Sequence, residues 1–156
     1  MPKVISFSKM PYFIRVFQNR YRNLITFNFH NFKGVISIYH LVKQDENQHL
    51  QLQSSTLIND SNCDQNNDPK ILALSLDWNS RKSSSDKHIE IAVSSSKGDI
   101  SKFKLNENGL EKSWNRTDCH EYEAWITVFD AWNSNTVFSG GDDGLLKMHD
   151  TRSETR

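Results

Sequence analysis

Short segments in which bulky apolar residues alternate with polar ones recur along the chain, and this alternation is typical of β-strands with one buried face. LALSLDW from Leu72 and WITVFDAW from Trp125 show the pattern most clearly, and a shorter segment runs from Leu110 to Trp114. No stretch of helical length sustains apolar residues at the spacing of an amphipathic helix. The pattern therefore predicts an all-β chain, with the two longer segments as inner strands and the shorter one as an outer strand.

Three hairpin-like segments share a layout of strand, tight turn and strand. They lie near residues 24–41, 92–105 and 137–151. Their turns carry Gly34, Gly98 and Gly144, and glycine supplies the positive φ that short hairpin turns demand. When Ala92 is aligned with Val137, the last two hairpins repeat after 45 residues. That spacing agrees with the roughly 40–45 residues of a four-stranded WD40-type propeller blade.

The chain has 156 residues, which is room for three such blades and a fragment, whereas a closed propeller has about four to eight blades. We therefore predict that residues 1–156 form one partial WD40-type β-propeller from an expected seven-bladed ring. Residues 43–70 are polar, with no apolar period from Asn59 onward, and we predict a long surface loop there. Because an open arc leaves apolar blade faces uncovered, we expect either a truncated gene model or a chain that folds poorly by itself.

The charge is unevenly placed, although Lys+Arg and Asp+Glu balance at 19 each. Seven basic residues precede Asp45, which is the first acidic residue, and the remainder holds 12 basic and 19 acidic residues. A basic arm or a transit peptide is one interpretation of this asymmetry. The strand-like apolar density of residues 12–29 favours a truncated first blade instead.

The sequence lacks the features of several other protein classes. No apolar run reaches the roughly 18 residues of a membrane helix, and the N-terminus has no uninterrupted apolar signal core. Cys63 and Cys119 lie in unrelated segments without a C-x-x-C pair, so neither a zinc site nor a disulfide framework is indicated. We predict a cytoplasmic protein with no metal or other cofactor, no membrane contact and no direct nucleic-acid partner.

His120, Ser139 and Asp143 are the residue types of a hydrolytic triad. They also stand at the three places where WD40 blades carry a hydrogen-bonded network that ties the outer strands to the inner ones. We interpret them as structural, because a buried network needs every donor matched and this one accounts for all three. His149 occupies the slot where such repeats carry Trp, which predicts an altered and weaker network. The serines at 94–96 align with the segment that starts at Ser139 and are interpreted as strand residues, not nucleophiles.

The candidates for binding and catalysis are carboxylates and aromatic residues near the same blade. Asp142 and Glu123 are rim groups that can act as a general base on water or pair with a cation, although solvated surface charge is the simpler interpretation. Trp125 and Trp78 can form a cation–π contact with a quaternary ammonium group, although core packing is the expected role of both. No nucleophile elbow, metal-type His/Glu pair or phosphate-cradling glycine loop occurs in the sequence.

Three segments together resemble one family. They are LALSLDW (72–78), KSWNRTDCHEYEAWITVFDAW (112–132) and VFSGGDDGLLKMHDTR (137–152). They are similar to the eukaryotic diphthine methyl ester hydrolases, WD40 proteins of the diphthamide pathway that are often called diphthine methyltransferases. The specific part is H-x-[FY]-E-A-W-I combined with S-G-G-D-D-G-L-L. The resemblance covers residues 72–152 well, residues 24–71 in strand layout only, and residues 1–23 not at all.

The resemblance implies hydrolysis of the methyl ester of methylated diphthine on elongation factor 2, with release of methanol. Members of the family continue through further blades, so the 156-residue chain by itself is expected to be inactive. The resemblance assigns no catalytic residue to this sequence. Our candidates for base or cation partner remain Asp142 first and Glu123 second. A WD40 scaffold without catalytic activity, which gathers proteins on its rim, is the alternative.

Overall fold

The computed structural model describes residues 16–19, 24–28, 34–44, 47–58, 71–79 and 89–153. Within these ranges the chain forms eleven β-strands and no helix, so no helix there is long and apolar enough to cross a bilayer. The strands are β1 (Val16–Asn19), β2 (Leu24–Asn28), β3 (Val35–Gln44), β4 (Asn47–Leu57), β5 (Ala73–Trp78), β6 (Ile89–Ser95), β7 (Ile100–Asn106), β8 (Gly109–Arg116), β9 (Ile126–Phe129), β10 (Thr136–Gly140) and β11 (Leu146–Asp150). The all-β prediction is confirmed. Residues 1–15 and 59–70, which include Cys63, lie outside the described residues.

The strands form three antiparallel sheets in which sequence neighbours pair. Blade 1 contains β1–β4, blade 2 contains β5–β8, and blade 3 contains β9–β11. Hairpins β2–β3, β6–β7 and β10–β11 lie over the three segments with shared layout. Each blade is thus a meander of short strands joined by tight turns, which is the arrangement of a propeller blade.

Apolar residues on both faces of blade 2 hold the three blades together. Strand β6 is buried at every position, because Ile91 and Val93 face blade 1 and Ala92 faces blade 3. The core between blades 1 and 2 also contains Ile38 and Phe103. Each such side chain contributes about 1.5–3 kcal/mol when fully buried. A strand buried on both sides can carry apolar residues at successive positions, as β6 does at residues 91–93.

Part of the predicted loop over residues 43–70 is wrong. Strand β4 occupies Asn47–Leu57 and pairs with β3 along its length. Its side chains at 51–57 are exposed or half-buried, with Leu52 at 53% and Leu57 at 50% exposure. Because an outermost strand has one pairing neighbour and little apolar cover, polar residues are tolerated on both of its faces. The sequence therefore lacked the alternation by which strands are recognised.

The hairpins of blades 2 and 3 correspond after 46 residues rather than 45. Strand pairing in these hairpins ends at Ser94 with Ile100 and at Gly140 with Leu146. The turns have equivalent hydrogen bonds, in which the Gly98 and Gly144 amides donate to the residues three positions earlier. Ser94 therefore corresponds to Gly140, and the alignment of residues 94–96 with 139–141 is wrong by one position.

Candidate functional site

The loop between β8 and β9, residues 117–125, is fastened between the hairpin turns of blades 2 and 3. The His120 amide donates to the Gly98 carbonyl at 3.1 Å, and the Ala124 amide donates to the Ser95 carbonyl at 3.2 Å. On the other side, the Asp142 amide donates to the carbonyl of Glu123 at 2.9 Å. We call this loop together with the turn at residues 141–145 the rim. Its backbone is fixed from both blades, so its side chains are held in defined positions.

Glycines make the close approach of loop and turns possible. Gly98 has φ of 83°, and a Cβ placed there would lie 2.3 Å from the His120 carbonyl oxygen. A Cβ on Gly141 would lie 2.6 Å from Nδ1 of His120 and 2.9 Å from the Glu123 carbonyl oxygen. All three distances are below 3.0 Å, a separation that real Cβ atoms essentially never show. The glycines thus let the backbone of the turns contact the loop directly.

His120, Ser139 and Asp143 are joined by hydrogen bonds in the structure. Nδ1 of His120 lies 2.8 Å from one oxygen of Asp143, and Nε2 lies 2.8 Å from Oγ of Ser139. The same Oγ lies 2.7 Å from Nε2 of His149. Asp143 also accepts from the Leu145 amide at 3.1 Å. A chain of four side chains therefore links the loop before β9 to the strands β10 and β11.

Burial lowers the pKa of His149 to about 4, and the neighbouring positive charges of Arg116 and Lys147 add to the shift. The imidazole is therefore neutral near pH 7 and carries one proton. Its Nδ1 has no hydrogen-bond partner within the described part of the chain, and a buried acceptor tolerates this better than a buried donor. The proton consequently lies on Nε2 and is donated to Ser139.

The proton on His149 fixes the direction of the other hydrogen bonds. Since Ser139 accepts from His149, its own hydroxyl proton is donated to Nε2 of His120, and Nδ1 of His120 donates to Asp143. Burial works against ionisation of Asp143. Hydrogen bonds from His120, the Leu145 amide and Lys147 outweigh it and hold the pKa of that carboxyl well below its ordinary value. An indole N–H of Trp would donate in the same way as His149, which explains why His can occupy the slot.

The geometry of these residues is that of a triad, but their surroundings exclude a substrate. Ser139 is 1% exposed and His120 is 3% exposed. Oγ of Ser139 lies between two imidazoles and is committed to both. A nucleophile must reach the carbonyl carbon that it attacks. Because the hydroxyl is enclosed, Ser139 has no access to a substrate in this arrangement, and we interpret the three residues as a link between the loop and blade 3.

Blade 2 replaces this polar network with apolar contacts. At the 46-residue offset, Val93 corresponds to Ser139 and Phe103 corresponds to His149. Both are buried in the core between blades 1 and 2. The network is thus a local property of blade 3 and not a requirement of every blade.

Asp142 and Glu123 lie next to each other on the rim. The hydrogen bond between their backbones brings the two residues together, with the Asp142 side chain exposed and that of Glu123 half-buried. The predicted core packing is confirmed for Trp78, which is 5% exposed. It is wrong for Trp125, which is 52% exposed. Tyr122, at 55% exposure, is a second aromatic residue of the rim. The rim therefore combines accessible carboxylates with accessible aromatic rings.

Cys119 of the same loop is enclosed. Burial raises the pKa of the Cys119 thiol to about 11, and the thiol donates to the Arg116 carbonyl at 3.3 Å. A protonated, buried thiol is a poor nucleophile. Across the described ranges, no group of three or more His, Cys, Asp or Glu side chains is placed to hold a metal ion.

Sequence reasoning missed a buried ion pair of blade 2, which lies on the face that blade 3 covers. Nζ of Lys102 lies 3.3 Å from Glu90, and both side chains are at most 10% exposed. Lys102 also donates to Oγ1 of Thr151 at 3.0 Å, and Glu90 accepts from Asn79 at 3.1 Å. One signal was available in ISKFKLN: its alternation places Ile100 and Lys102 on the same face of β7.

Proteins of known name resemble this chain in sequence. Diphthine methyltransferase of Mus musculus is 35% identical over 128 residues, which are 78% of this chain and 24% of that protein. The Homo sapiens protein of the same name is 38% identical over 125 residues, 76% of this chain and 25% of that protein. The diphthine methyltransferase homolog of Dictyostelium discoideum is 40% identical over 122 residues, 76% of this chain and 28% of that protein.

A solved structure resembles the fold. Sqt1 of Chaetomium thermophilum superposes with a TM-score of 0.55 at 13% sequence identity, over 83% of this chain and 28% of that chain. At this identity the likeness concerns the fold alone. No protein-family model matches the chain.

The three antiparallel blades, with the hydrogen-bonded His120, Ser139 and Asp143 at the third, make this chain an incomplete WD40-type β-propeller. It spans about a quarter of the length of the curated relatives that it matches. In sequence it is homologous to one segment of the proteins named diphthine methyltransferase.

Proposed function

We propose that the family protein represented by this chain hydrolyses the methyl ester of methylated diphthine, a modified histidine of elongation factor 2, in diphthamide biosynthesis. The observation that carries the proposal is the 35% to 40% identity to relatives named diphthine methyltransferase. That name denotes transfer, whereas the resemblance of the sequence motifs implies ester hydrolysis. Elongation factor 2 is then the protein substrate, and the reaction takes place in the cytoplasm.

The proposed reaction needs a base for water and a partner for the developing oxyanion. Water attacks the ester carbonyl carbon, the bond to the methoxy oxygen breaks, and methanol leaves with a proton while the carboxylate stays on the substrate. Asp142 is the first candidate for the base, because its side chain is exposed where a protein substrate has access. Glu123 is the second, and backbone N–H groups would stabilise the oxyanion.

The exposed aromatic residues of the rim support binding of the substrate's trimethylammonium group. Trp125 and Tyr122 are both more than half exposed, and an aromatic face attracts a quaternary ammonium by about 0.5–2 kcal/mol. Glu121, Glu123 and Asp142 add negative charge on the same rim. Since the rim backbone is fixed by hydrogen bonds from blades 2 and 3, little ordering is needed when a cation binds.

The test is made in a full-length protein. This chain replaces the matching segment of the human relative, and mass spectrometry follows the ester methyl on methylated-diphthine elongation factor 2. Asp142→Asn or Glu123→Gln should reduce the rate about a hundredfold or more, as for loss of a general base. Glu107→Gln, which changes an exposed carboxylate in the turn between β7 and β8 and outside the rim, is the matched control and should leave the rate unchanged. Full rates in both substituted proteins would refute the assignment of the base.

A scaffold without catalytic activity is the second candidate function. The observation in its favour is that the Ser–His–Asp set of blade 3 is enclosed and serves the blade. A scaffold would bind elongation factor 2 and leave its ester methyl in place. Loss of the methyl with the unsubstituted chimera contradicts the scaffold, and binding with no loss of methyl contradicts the enzyme. The isolated 156-residue chain is expected to be inactive in either case.

A further inference from the structure

The outermost strand of blade 1 has one free edge. Strand β4 has 11 residues and pairs with β3, and no other strand that the structure describes pairs with it. Along the other edge of such a strand, alternate residues direct their backbone N–H and C=O groups away from the sheet. The strand is held in place toward blade 2, because Oγ of Ser54 accepts from the Leu110 amide at 3.3 Å. β4 is therefore an ordered edge to which another strand can be added.

β4 lacks the charges that commonly protect an edge strand. Its sequence, NQHLQLQSSTL, contains no Asp, Glu, Lys, Arg or Pro. Strand β8 takes the same outermost position in blade 2 and carries Glu111, Lys112 and Arg116 among its 8 residues. Charged side chains on an edge discourage pairing with a second strand. The outermost strand of blade 2 is thus protected by charge, whereas that of blade 1 is not.

A β-bulge makes the second half of β4 nearly symmetric. Two consecutive residues of β3 pair with Ser54 and Leu52, so Gln53 between them stands outside the register. Without Gln53, the paired residues read LSSTL, which is almost the same sequence in both directions. The central residue of this segment is Ser55, whose side chain is exposed.

The two ends of the segment are exposed leucines on one face of the sheet. Leu52 and Leu57 lie opposite Tyr39 and Val35, which are four residues apart on β3 and therefore share a face. The leucines are 53% and 50% exposed. In an antiparallel pairing of two copies about Ser55, Leu52 of one copy lies opposite Leu57 of the other. The exposed apolar side chains then cover each other on both sides of the centre.

We propose that two copies of this chain join along β4 as an antiparallel pair, with a two-fold axis at Ser55. The four-stranded sheets of blade 1 from the two copies then form one continuous sheet. Every cross-strand pair of this register is uncharged, since the LSSTL segment contains only leucine, serine and threonine. Symmetric contacts of this kind are the commonest way in which identical chains associate. The proposal rests on the edge of blade 1 and does not depend on the proposed function.

The neutrality of the edge favours a second copy over a charged peptide. A basic or acidic segment would find no opposite charge on β4, whereas two neutral copies meet without repulsion. The contact is small, because each copy contributes one short segment of strand. We therefore expect a weak dimer that forms as the concentration rises, with a Kd in the micromolar range or weaker.

Substitution on the two-fold axis tests the proposal. Sedimentation velocity of the 156-residue chain over a range of concentrations should show a monomer–dimer equilibrium. Ser55→Lys places two ammonium groups opposite each other and should weaken the dimer about fivefold, and Ser55→Glu should do the same with two carboxylates. An equimolar mixture of the two variants should restore the dimer, because opposite charges then face each other. Variants that merely failed to fold would not be restored by mixing.

The control changes exposed apolar residues of another blade. Leu146 and Met148 of blade 3 are 78% and 70% exposed, and Leu146→Lys with Met148→Lys should leave the dimer unchanged. A chain that is monomeric at every concentration overturns the proposal, as do Ser55 variants that dimerise like the unsubstituted chain or do not recover on mixing. A dimer that the blade 3 substitution dissociates and Ser55→Lys does not would place the contact elsewhere, which also overturns it.

Discussion

Replacing Ser139 by Ala tests the network between the loop and blade 3. The hydroxyl of Ser139 is 1% exposed and joins Nε2 of His120 at 2.8 Å to Nε2 of His149 at 2.7 Å. Alanine nearly preserves the shape of the side chain but leaves one buried acceptor and one buried donor unpaired. Each unpaired group costs about 1–3 kcal/mol. Allowing for relaxation, we expect Ser139→Ala to lower the free energy of unfolding by about 2–4 kcal/mol.

Ser94→Ala is the matched control. Ser94 is 0% exposed and its Oγ has no hydrogen-bond partner among the residues that the structure describes. Removing an unpaired buried hydroxyl should be neutral or slightly stabilising. Ser139→Thr retains the hydroxyl and should recover most of the stability.

The assay is urea unfolding followed by the fluorescence of the buried Trp78 and Trp114. With a urea m-value of about 2 kcal/mol/M, Ser139→Ala should lower the midpoint by about 1–2 M. If Ser139→Ala is already unfolded without urea while Ser94→Ala stays folded, the expected destabilisation is likewise supported. Equal midpoints for Ser139→Ala and Ser94→Ala would refute the reasoning, since both substitutions remove one buried hydroxyl.

Three further predictions concern contacts between blades 2 and 3. His149 is protonated near pH 6.5 in the unfolded chain but only near pH 4 in the folded chain. The free energy of unfolding therefore falls as the pH is lowered between these values, by about 3 kcal/mol at most. Urea titrations at several pH values should show that His149→Trp reduces this loss. Lys102→Met leaves Glu90 buried without its cation and should cost about 3–5 kcal/mol, whereas adding Glu90→Leu should recover much of it, as a double-mutant cycle will show. Gly144→Ala in the isolated chain should lower the free energy of unfolding by about 1–2 kcal/mol, because the backbone there is left-handed. Gly98→Ala should lower it further, because its methyl group would also meet the His120 carbonyl. Equal losses of melting temperature in the two variants would contradict this close contact.

The sequence predicts features whose physical cause is local. Turn glycines and short apolar alternations indicate hairpins because positive φ and a single buried face are properties of a few neighbouring residues. The buried hydrogen-bonded set could be anticipated because His120, Ser139 and Asp143 stand at characteristic places in one repeat. The positions of the protons in this set could not be anticipated, because they depend on the surroundings of His149.

Features that depend on packing between blades were not predictable in the same way. Strand β4 has polar residues on both faces because it is outermost, so its pattern resembles a loop. Alignment by apolar residues matched Ala92 with Val137, whereas strand pairing matches Ile91 with Val137. Lys102 reads as a solvated charge until blade 3 is placed over it. Trp125 reads as core until the rim backbone is known to hold it outside.

The segment after β11 belongs to two blades at once. Thr151 accepts from Lys102 of blade 2, and the carbonyl of Ser153 accepts from the indole of Trp114 in β8 at 3.1 Å. The segment that follows the last strand of blade 3 therefore also stabilises blade 2. The end of a sheet is not the end of a stable unit. A gene segment cut at the end of β11 would carry a complete sheet and still deprive the preceding blade of two contacts. Shuffling or grafting of these repeats thus requires junctions beyond Ser153.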